Sequence, residues 1–404
     1  MATVDVRFIE PSEAREWMRS EQRSFGIEPT DGRLDELVSL VEAERCCAAF
    51  DGGSIVATGG AFSSRMQLPG GASVPVAAVT AIGTRPTHRR RGIFRRVMDV
   101  VHQQSAELGE PAAVLLSSES LLYPRFGYGV ASFGAWVQID RRRAAFRPEI
   151  EISDRVDMFV DVAGADALVS GLWEQMGAHR PGWIHRPDRL RANMLADYEV
   201  DRHGAMPFTL AVHHNPDGDP DGYCLYRHSP GWEQGQSTGT LFITELVTAT
   251  DTARLALWHH CLTIDLVEKV EAMPLPTDDP LPFALVDRRQ YRTIGVHDQL
   301  WLRPHDADTL LEQRRYAVAD SLVIDIVDLG RRRIDGGPDG ASVESSDEPA
   351  DVTMSRADLA TVIVGHSLRP LLATGRIELT DPATLDRCDQ FFRWPVAPYN
   401  LLDF

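Results

Sequence analysis

The stretch Val79-Thr-Ala-Ile-Gly-Thr-Arg-Pro-Thr-His-Arg-Arg-Arg-Gly-Ile-Phe94 decides how the rest of the chain is read. It closes a β-type run that begins at residue 75, and Pro86 breaks that run. A cationic turn, Arg89-Arg-Arg91, then leads into a helix expected over 89–108. Ile93, Val97, Val100, Val101, Ala106 and Leu108 fall close to helical spacing there. The first turn of a helix has unpaired N–H groups at the positive end of its dipole, and together they bind phosphate. Gly92, read as part of that turn, lets the main chain approach a pyrophosphate that a Cβ would hold off. Two other triplets, Arg141-Arg-Arg143 and Arg331-Arg-Arg333, have no glycine following them at a helix start and read as solvated charge.

Around this motif the punctuation is βαβ-like. Helices are expected over 13–19 and 33–44. A strand pair over 45–50 and 55–64 turns at Asp51-Gly52-Gly53, and a buried strand over 112–116 follows Gly109 and Pro111. The texture repeats with helices over 165–176, 188–194 and 252–266 and strands over 208–213, 223–227 and 241–249. Thr248 to Arg254 offers a helix cap but no Arg/Gly run, so this second copy is expected to be degenerate. A third region has strands over 300–303 and 321–327, helices over 307–314, 356–365 and 382–392, and a Gly/Asp/Ser-rich loop over 335–347. The expected domains are 1–145, 146–296 and 297–404, in an α+β or α/β class.

Composition narrows the function. The chain of 404 residues has 41 basic and 59 acidic side chains, a net charge of −18, which argues against nucleic acid and suits a cationic small molecule. Lys269 is the only lysine, so no P-loop can be written. That lysine lies between two glutamates, which excludes Schiff-base chemistry. The five cysteines form no C-x-x-C, the start has no signal-peptide pattern, and no apolar run spans a bilayer. A cytoplasmic protein without a metal site is expected. The adjacent pairs His213-His214 and His259-His260 point to different faces. Pro216 to Asp221 reads as a surface turn, and Gly235-Gln-Ser-Thr-Gly239 as a turn rather than a nucleophile elbow.

Arg-x-x-Gly-x-x opening a helix after a strand resembles motif A of the Gcn5-related N-acetyltransferases (GNAT), with Phe94 at a sixth position that is usually small. Pro86-Thr-His-Arg-Arg-Arg-Gly92 together with Ser118-Glu-Ser-Leu-Leu-Tyr-Pro-Arg-Phe-Gly-Tyr-Gly129, and an acid-Phe ending, is similar to the Eis (enhanced intracellular survival) family. The resemblance implies tandem GNAT folds, the second degenerate, a C-terminal domain like sterol carrier proteins, and homohexamers built as trimers of dimers. It implies acetyl-CoA as donor, with Ile82, Gly83 and Thr84 on the pantetheine arm. Arg90, Arg91, Gly92, Ile93, Phe94 and Arg95 would hold the phosphates, and Ser118 and Glu119 would line the cofactor cleft. Tyr123 matches the general acid and Phe404 the residue whose free carboxylate is the general base. Asp403 and Glu28 are expected on the acceptor, an aminoglycoside, polyamine or lysine-type amine.

The chemistry fits these groups. A phenol with pKa near 10 is protonated at pH 7 and can donate to a departing thiolate; Tyr128 is the rival donor. The apolar ending, Phe391 to Phe404, is too aromatic to prefer water and should dock. A non-catalytic acyl-CoA or lipid-binding protein, or transfer of a longer acyl group, are the alternatives.

Overall fold

The computed structural model describes residues 4–153, 155–160 and 162–404, so the first three residues, on which the reading of the start falls, lie outside the described residues. Contacts divide the chain into two units: Met1–Ala131 with Leu300–Arg393 and Asp403–Phe404, and Ser132–Gln299 with Trp394–Leu402. Among the described residues no helix is long and apolar enough to cross a membrane.

In unit 1, β1 (Asp5–Phe8), β2 (Cys46–Asp51), β3 (Ser54–Gln67) and β4 (Ser73–Thr84) form an antiparallel run. β5 (Ala112–Leu115) is parallel to β4, and Trp301–Pro304 sits between β5 and β6 (Gly129–Val130). That strand, expected as part of a separate third domain, therefore completes the first sheet. α1 (Ala14–Ser24), α2 (Asp31–Val38) and α3 (Ile93–Glu107) accompany this sheet. α3 buries Ile93, Val97, Met98, Val101, His102 and Ser105, one face at helical spacing. It can lie close because its contact is Gly59, where a Cβ would meet the Val97 side chain at 2.4 Å.

Two of the expected helices that begin or end elsewhere show why. α3 starts at Ile93 rather than 89, because Arg90 and Gly92 have φ of 61° and 75°, which a right-handed helix excludes. α2 starts under the Thr30 hydroxyl, which accepts the Arg33 N–H, and ends at Val38, where the Ser39 hydroxyl donates back to the Glu36 carbonyl.

The second sheet of unit 1 has the order Gly340–Ser345, Gly330–Gly337, Asp320–Ile326, Val352–Met354, Ile377–Leu379. The expected loop at 335–347 is thus largely a hairpin, and Tyr316 packs on the bare Gly336. Its arginines are surface charge held in ion pairs: Arg331 pairs with Asp325, Arg332 with Asp308 and Arg333 with Asp335 and Glu348. Arg314 is fully buried and caps two helix ends by donating to the carbonyls of Val362, Ile363 and Phe392.

Unit 2 repeats the mixed sheet. Its strands are β7 (Phe133–Asp140), β8 (Val156–Phe159), β9 (Thr209–His214), β10 (Pro220–Ser229), β13 (Gly239–Thr248), β14 (Val267–Leu275) and β15 (Tyr291–Asp298). A small hairpin, β11 (Trp232–Glu233) with β12 (Gln236–Ser237), precedes β13, so Ser237 sits in a hairpin arm and no helix follows it. The order is β15-β7-β14-β13-β10-β9-β8, with α4 (Asp166–Gly177), α5 (Asp188–Leu195) and α6 (Asp251–Thr263). His213 is buried against Asp221, while His214 reaches Asp157. The turn at 216–219 is held by the Asn215 side chain, which accepts the N–H groups of Asp217 and Asp219. Arg141 pairs with Asp265 and Arg142 with Glu268, so those two members of this triplet are also engaged.

A Cβ at Gly129 would lie 1.8 Å from the carbonyl oxygen of Ala357, backbone that cannot swing away. We expect Gly129→Ala to lower the unfolding free energy by about 1–3 kcal/mol, as overpacking does. Urea denaturation followed by tryptophan fluorescence checks this; an unchanged midpoint would show that the helix Arg356–Ile363 yields freely.

Candidate active site

The site begins where two parallel strands part. β4 and β5 pair only from Val76 to Ala78 against Ala112 to Val114. Beyond that point β4 carries a bulge, since Thr58 faces Gly83 and Gly60 faces Thr80. Ala81 takes up the extra length with φ of 59°, and the Thr58 hydroxyl holds its carbonyl at 2.8 Å. Main chain at Ala81 and Ile82 is thereby released from the ladder. Gly83 has another reason to be glycine: a Cβ would lie 2.1 Å from the Ser24 hydroxyl at the end of α1.

A pocket of about 290 Å³ opens between the parted strands. Its walls are Val79 to Ile82 on one side and Leu116, Ser117, Ser118 and Tyr123 on the other, with Phe25, Asp403 and Phe404 completing it. The ring of Phe404 meets Phe62 edge-on at 5.4 Å. No basic side chain lines it among the described residues. Sequence reading missed Phe25, Phe62 and Ser117. The Ser117 hydroxyl is buried without a partner, and a serine directly after the β5 run was the only available hint.

Tyr123 is 6% exposed, and burial, with the nearby Glu119 charge, pushes its phenol up to about 12. It is a proton donor at any physiological pH. Its ring is flanked by Phe94 at 6.2 Å and Tyr128 at 5.9 Å. Tyr128 is fully buried, does not line the pocket, and shares a 2.9 Å hydrogen bond with His102. Burial, reinforced by Arg303, His305 and Arg356, pushes His102 down to about 2, so this pair is uncharged. The rival donor is thus engaged away from the cleft.

The phosphate-type loop follows β4 directly, past the same C-terminal end. A 3-10 turn, Pro86–His88, precedes Arg89, and Gly92 caps α3 with no side-chain hydrogen bond to the first turn. The earliest main-chain bond there is Arg96 N–H to Gly92 O, which leaves the N–H groups of the first turn free. Arg90 and Arg91 are exposed and have no ion-pair partner among the described residues, in contrast to the engaged arginines of the other two triplets. Nothing lies within 4 Å of where a Gly92 Cβ would be, so the space over this turn is open.

The expected phosphate residues therefore divide. Ile93 puts its side chain into the core and Phe94 packs on Tyr123 and Phe126, so both can offer only main chain. Arg95 lies over the Phe126 ring at 5.6 Å. Ser118 lines the pocket, whereas Glu119 is exposed and is not among its lining residues; Thr84 has a buried hydroxyl without a partner. Asp403 lines the pocket, where loss of hydration raises its carboxyl from the ordinary value. Glu28 is not brought in: it pairs with Arg23 at 2.6 Å and is not among the pocket residues.

Comparisons with known proteins agree with this architecture. Residues 5–131 and 182–304 each match an acetyltransferase (GNAT) domain family, and residues 307–401 match the sterol carrier protein domain family. An uncharacterized N-acetyltransferase of Streptomyces avermitilis is 33% identical over 98% of both chains. N-acetyltransferase Eis of Mycobacterium tuberculosis is 30% identical over 98% of this chain and 94% of its own. The crystal structure of Eis1 from Mycobacterium abscessus superposes with a TM-score of 0.85 at 30% identity, covering 99% of this chain and all of that one. A parted β4–β5 pair, tandem acetyltransferase folds and a sterol-carrier-like sheet thus coincide with end-to-end relatedness, and the chain belongs to the Eis family of N-acetyltransferases.

Proposed function

We propose that the enzyme moves an acetyl group from acetyl-CoA to an amine of a small cationic acceptor, of the aminoglycoside, polyamine or lysine type. The observation that carries this reading is the pocket in which Tyr123, Asp403 and Phe404 converge with no basic residue beside them. Two carboxylates and a phenol favour an ammonium-bearing guest.

The donor's pyrophosphate fits the free N–H groups at Gly92 to Phe94 with Arg90, Arg91 and Arg95 around them. Its pantetheine arm runs along the main chain of Ile82, Gly83 and Thr84, beside Ser118 and Glu119. The amine nitrogen attacks the thioester carbonyl carbon and forms the C–N bond. The carboxylate of Phe404 takes the proton that the nitrogen sheds. As the C–S bond breaks, the Tyr123 hydroxyl protonates the sulfur, releasing CoA thiol and the amide. Tyr123 then regains a proton from the Phe404 carboxyl or from water. Asp403 holds a second ammonium of the acceptor, and Glu28, paired with Arg23, is assigned no role.

The homohexamer and cytoplasmic location implied by the resemblance belong to the same proposal. Trp136, Phe242, Ile294 and Val296 on the unit 2 sheet are 37%, 39%, 50% and 55% exposed, apolar surface that assembly would cover.

Tyr123→Phe should lower kcat by about 10²-fold or more, the usual worth of a general acid, with KM for acetyl-CoA unchanged. An undiminished kcat in a thiol-release assay against aminoglycoside, polyamine and lysine-peptide acceptors would refute the role. Because this phenol sits near 12, the wild-type rate should show no alkaline fall up to about pH 10. Arg90→Ala with Arg91→Ala should instead raise KM for acetyl-CoA severalfold and flatten its salt dependence, at little cost to kcat.

A further inference from the structure

The Tyr123 hydroxyl makes no hydrogen bond to another described residue. A phenol that must meet a departing sulfur is therefore aimed by its main chain and by ring packing. The Tyr123 carbonyl accepts the N–H groups of Phe126 at 2.9 Å and Tyr128 at 3.4 Å, which holds the root of the side chain. Further out, two aromatic rings meet the Tyr123 ring edge-on, Phe94 at 6.2 Å and Tyr128 at 5.9 Å.

Both of those rings are held by α3. Phe94 lies in its first turn. Tyr128 is tied to it by the 2.9 Å hydrogen bond between its hydroxyl and His102 Nε2, eight residues and about 12 Å further along the helix. Burial raises the Tyr128 phenol and lowers the His102 imidazole, so the bond joins two uncharged groups. In surroundings this apolar, leaving either group without its partner is costly, and the bond therefore fixes the Tyr128 ring.

His102 is itself confined. Its ring meets Phe126 at 6.2 Å and His305 at 5.6 Å. Arg303 Nε donates to the Phe126 carbonyl at 2.6 Å, closing the same turn from behind. All of these residues belong to unit 1. The helix that carries both props of the acid also offers its free first turn to the donor's pyrophosphate in the reaction proposed above.

We infer that His102 is a positioning residue for the general acid: through the Tyr128 hydroxyl it holds the ring on which Tyr123 rests, so that one helix registers the proton donor against the donor's phosphates. The inference rests on the reading of Tyr123 as the acid. His102 and Tyr128 do not line the pocket, so their bond acts on proton delivery and leaves donor binding alone.

Tyr128→Phe keeps the ring and removes only the hydroxyl. It should lower kcat about tenfold with KM for acetyl-CoA unchanged, because small misplacements of a reacting group are expensive. His102→Leu should lose as much. The pair His102→Leu with Tyr128→Phe leaves no polar group unpaired, which guards against a variant that does not fold, and should lose no more than either change alone. His102→Gln, whose amide can meet the same hydroxyl, should restore most of the rate. In a Tyr123→Phe chain neither Tyr128→Phe nor His102→Leu should reduce the residual rate further. A loss that persists in that chain would overturn the inference, since it would come from general loosening or from Tyr128 acting as the donor itself. If Tyr123→Phe costs activity while Tyr128→Phe leaves kcat undiminished, the positioning role alone falls. If Tyr123→Phe costs nothing, the acid assignment falls and takes the positioning role with it.

Discussion

Everything at the active site follows from a parallel strand pair that stays together for only three residues. β4 and β5 are bonded from Val76 to Ala78, and the polar groups beyond must then find other partners or be left bare. Evidence of that bareness lies on both walls. Ala81 is held in the left-handed region by Thr58, and the hydroxyls of Thr84 and Ser117 are buried with no partner. In the proposed reaction the donor's amides and carbonyl supply what the sheet does not. α3 could not help, because its own first turn is uncapped and faces the same need at the phosphate end.

The aromatic cluster behind Tyr123 turns the departure at Phe94 from motif A into something intelligible. A small residue there would leave the Tyr123 ring unsupported on one side; Phe94 fills that side and Tyr128 the other. The uncharged His102 in turn holds Tyr128, with His305 at 5.6 Å ring to ring. Burial first, and then Arg303 and Arg356, discourages protonation of both imidazoles, so the support remains uncharged while the cleft carries the negative groups.

Much of this was legible in the residues. Arg89 to Gly92 after a β run pointed to an uncapped helix start, which the structure has at Ile93, whereas Tyr123 to Gly129 stood out only through the family resemblance. What was not legible depends on partners far away in sequence. Nothing near Arg331 announces that Asp308 and Glu348 engage its neighbours, and Glu28 looks like an acceptor ligand until Arg23 is placed beside it. The start of α3 was misjudged because left-handed φ at Arg90, a β-unfriendly and non-glycine position, has no sequence signature. The segment at Pro395 to Tyr399 read correctly as apolar and docked, but the groove that takes it is formed by residues 120 to 220 positions earlier.

The strand Trp301–Pro304 carries an implication for how such a protein can be divided. It covers the outer edge of β5 and bridges to β6, with Leu302 fully buried and Trp301 in the same core as Tyr123. Stop the chain after its first acetyltransferase segment and β5 would present an unpaired, apolar edge, the kind that recruits foreign strands. A border at residue 131, where the first family match ends, would therefore part this sheet from one of its own strands. That strand falls within the second acetyltransferase match, so the two matched segments share a single sheet and neither is a self-contained piece for recombination to move.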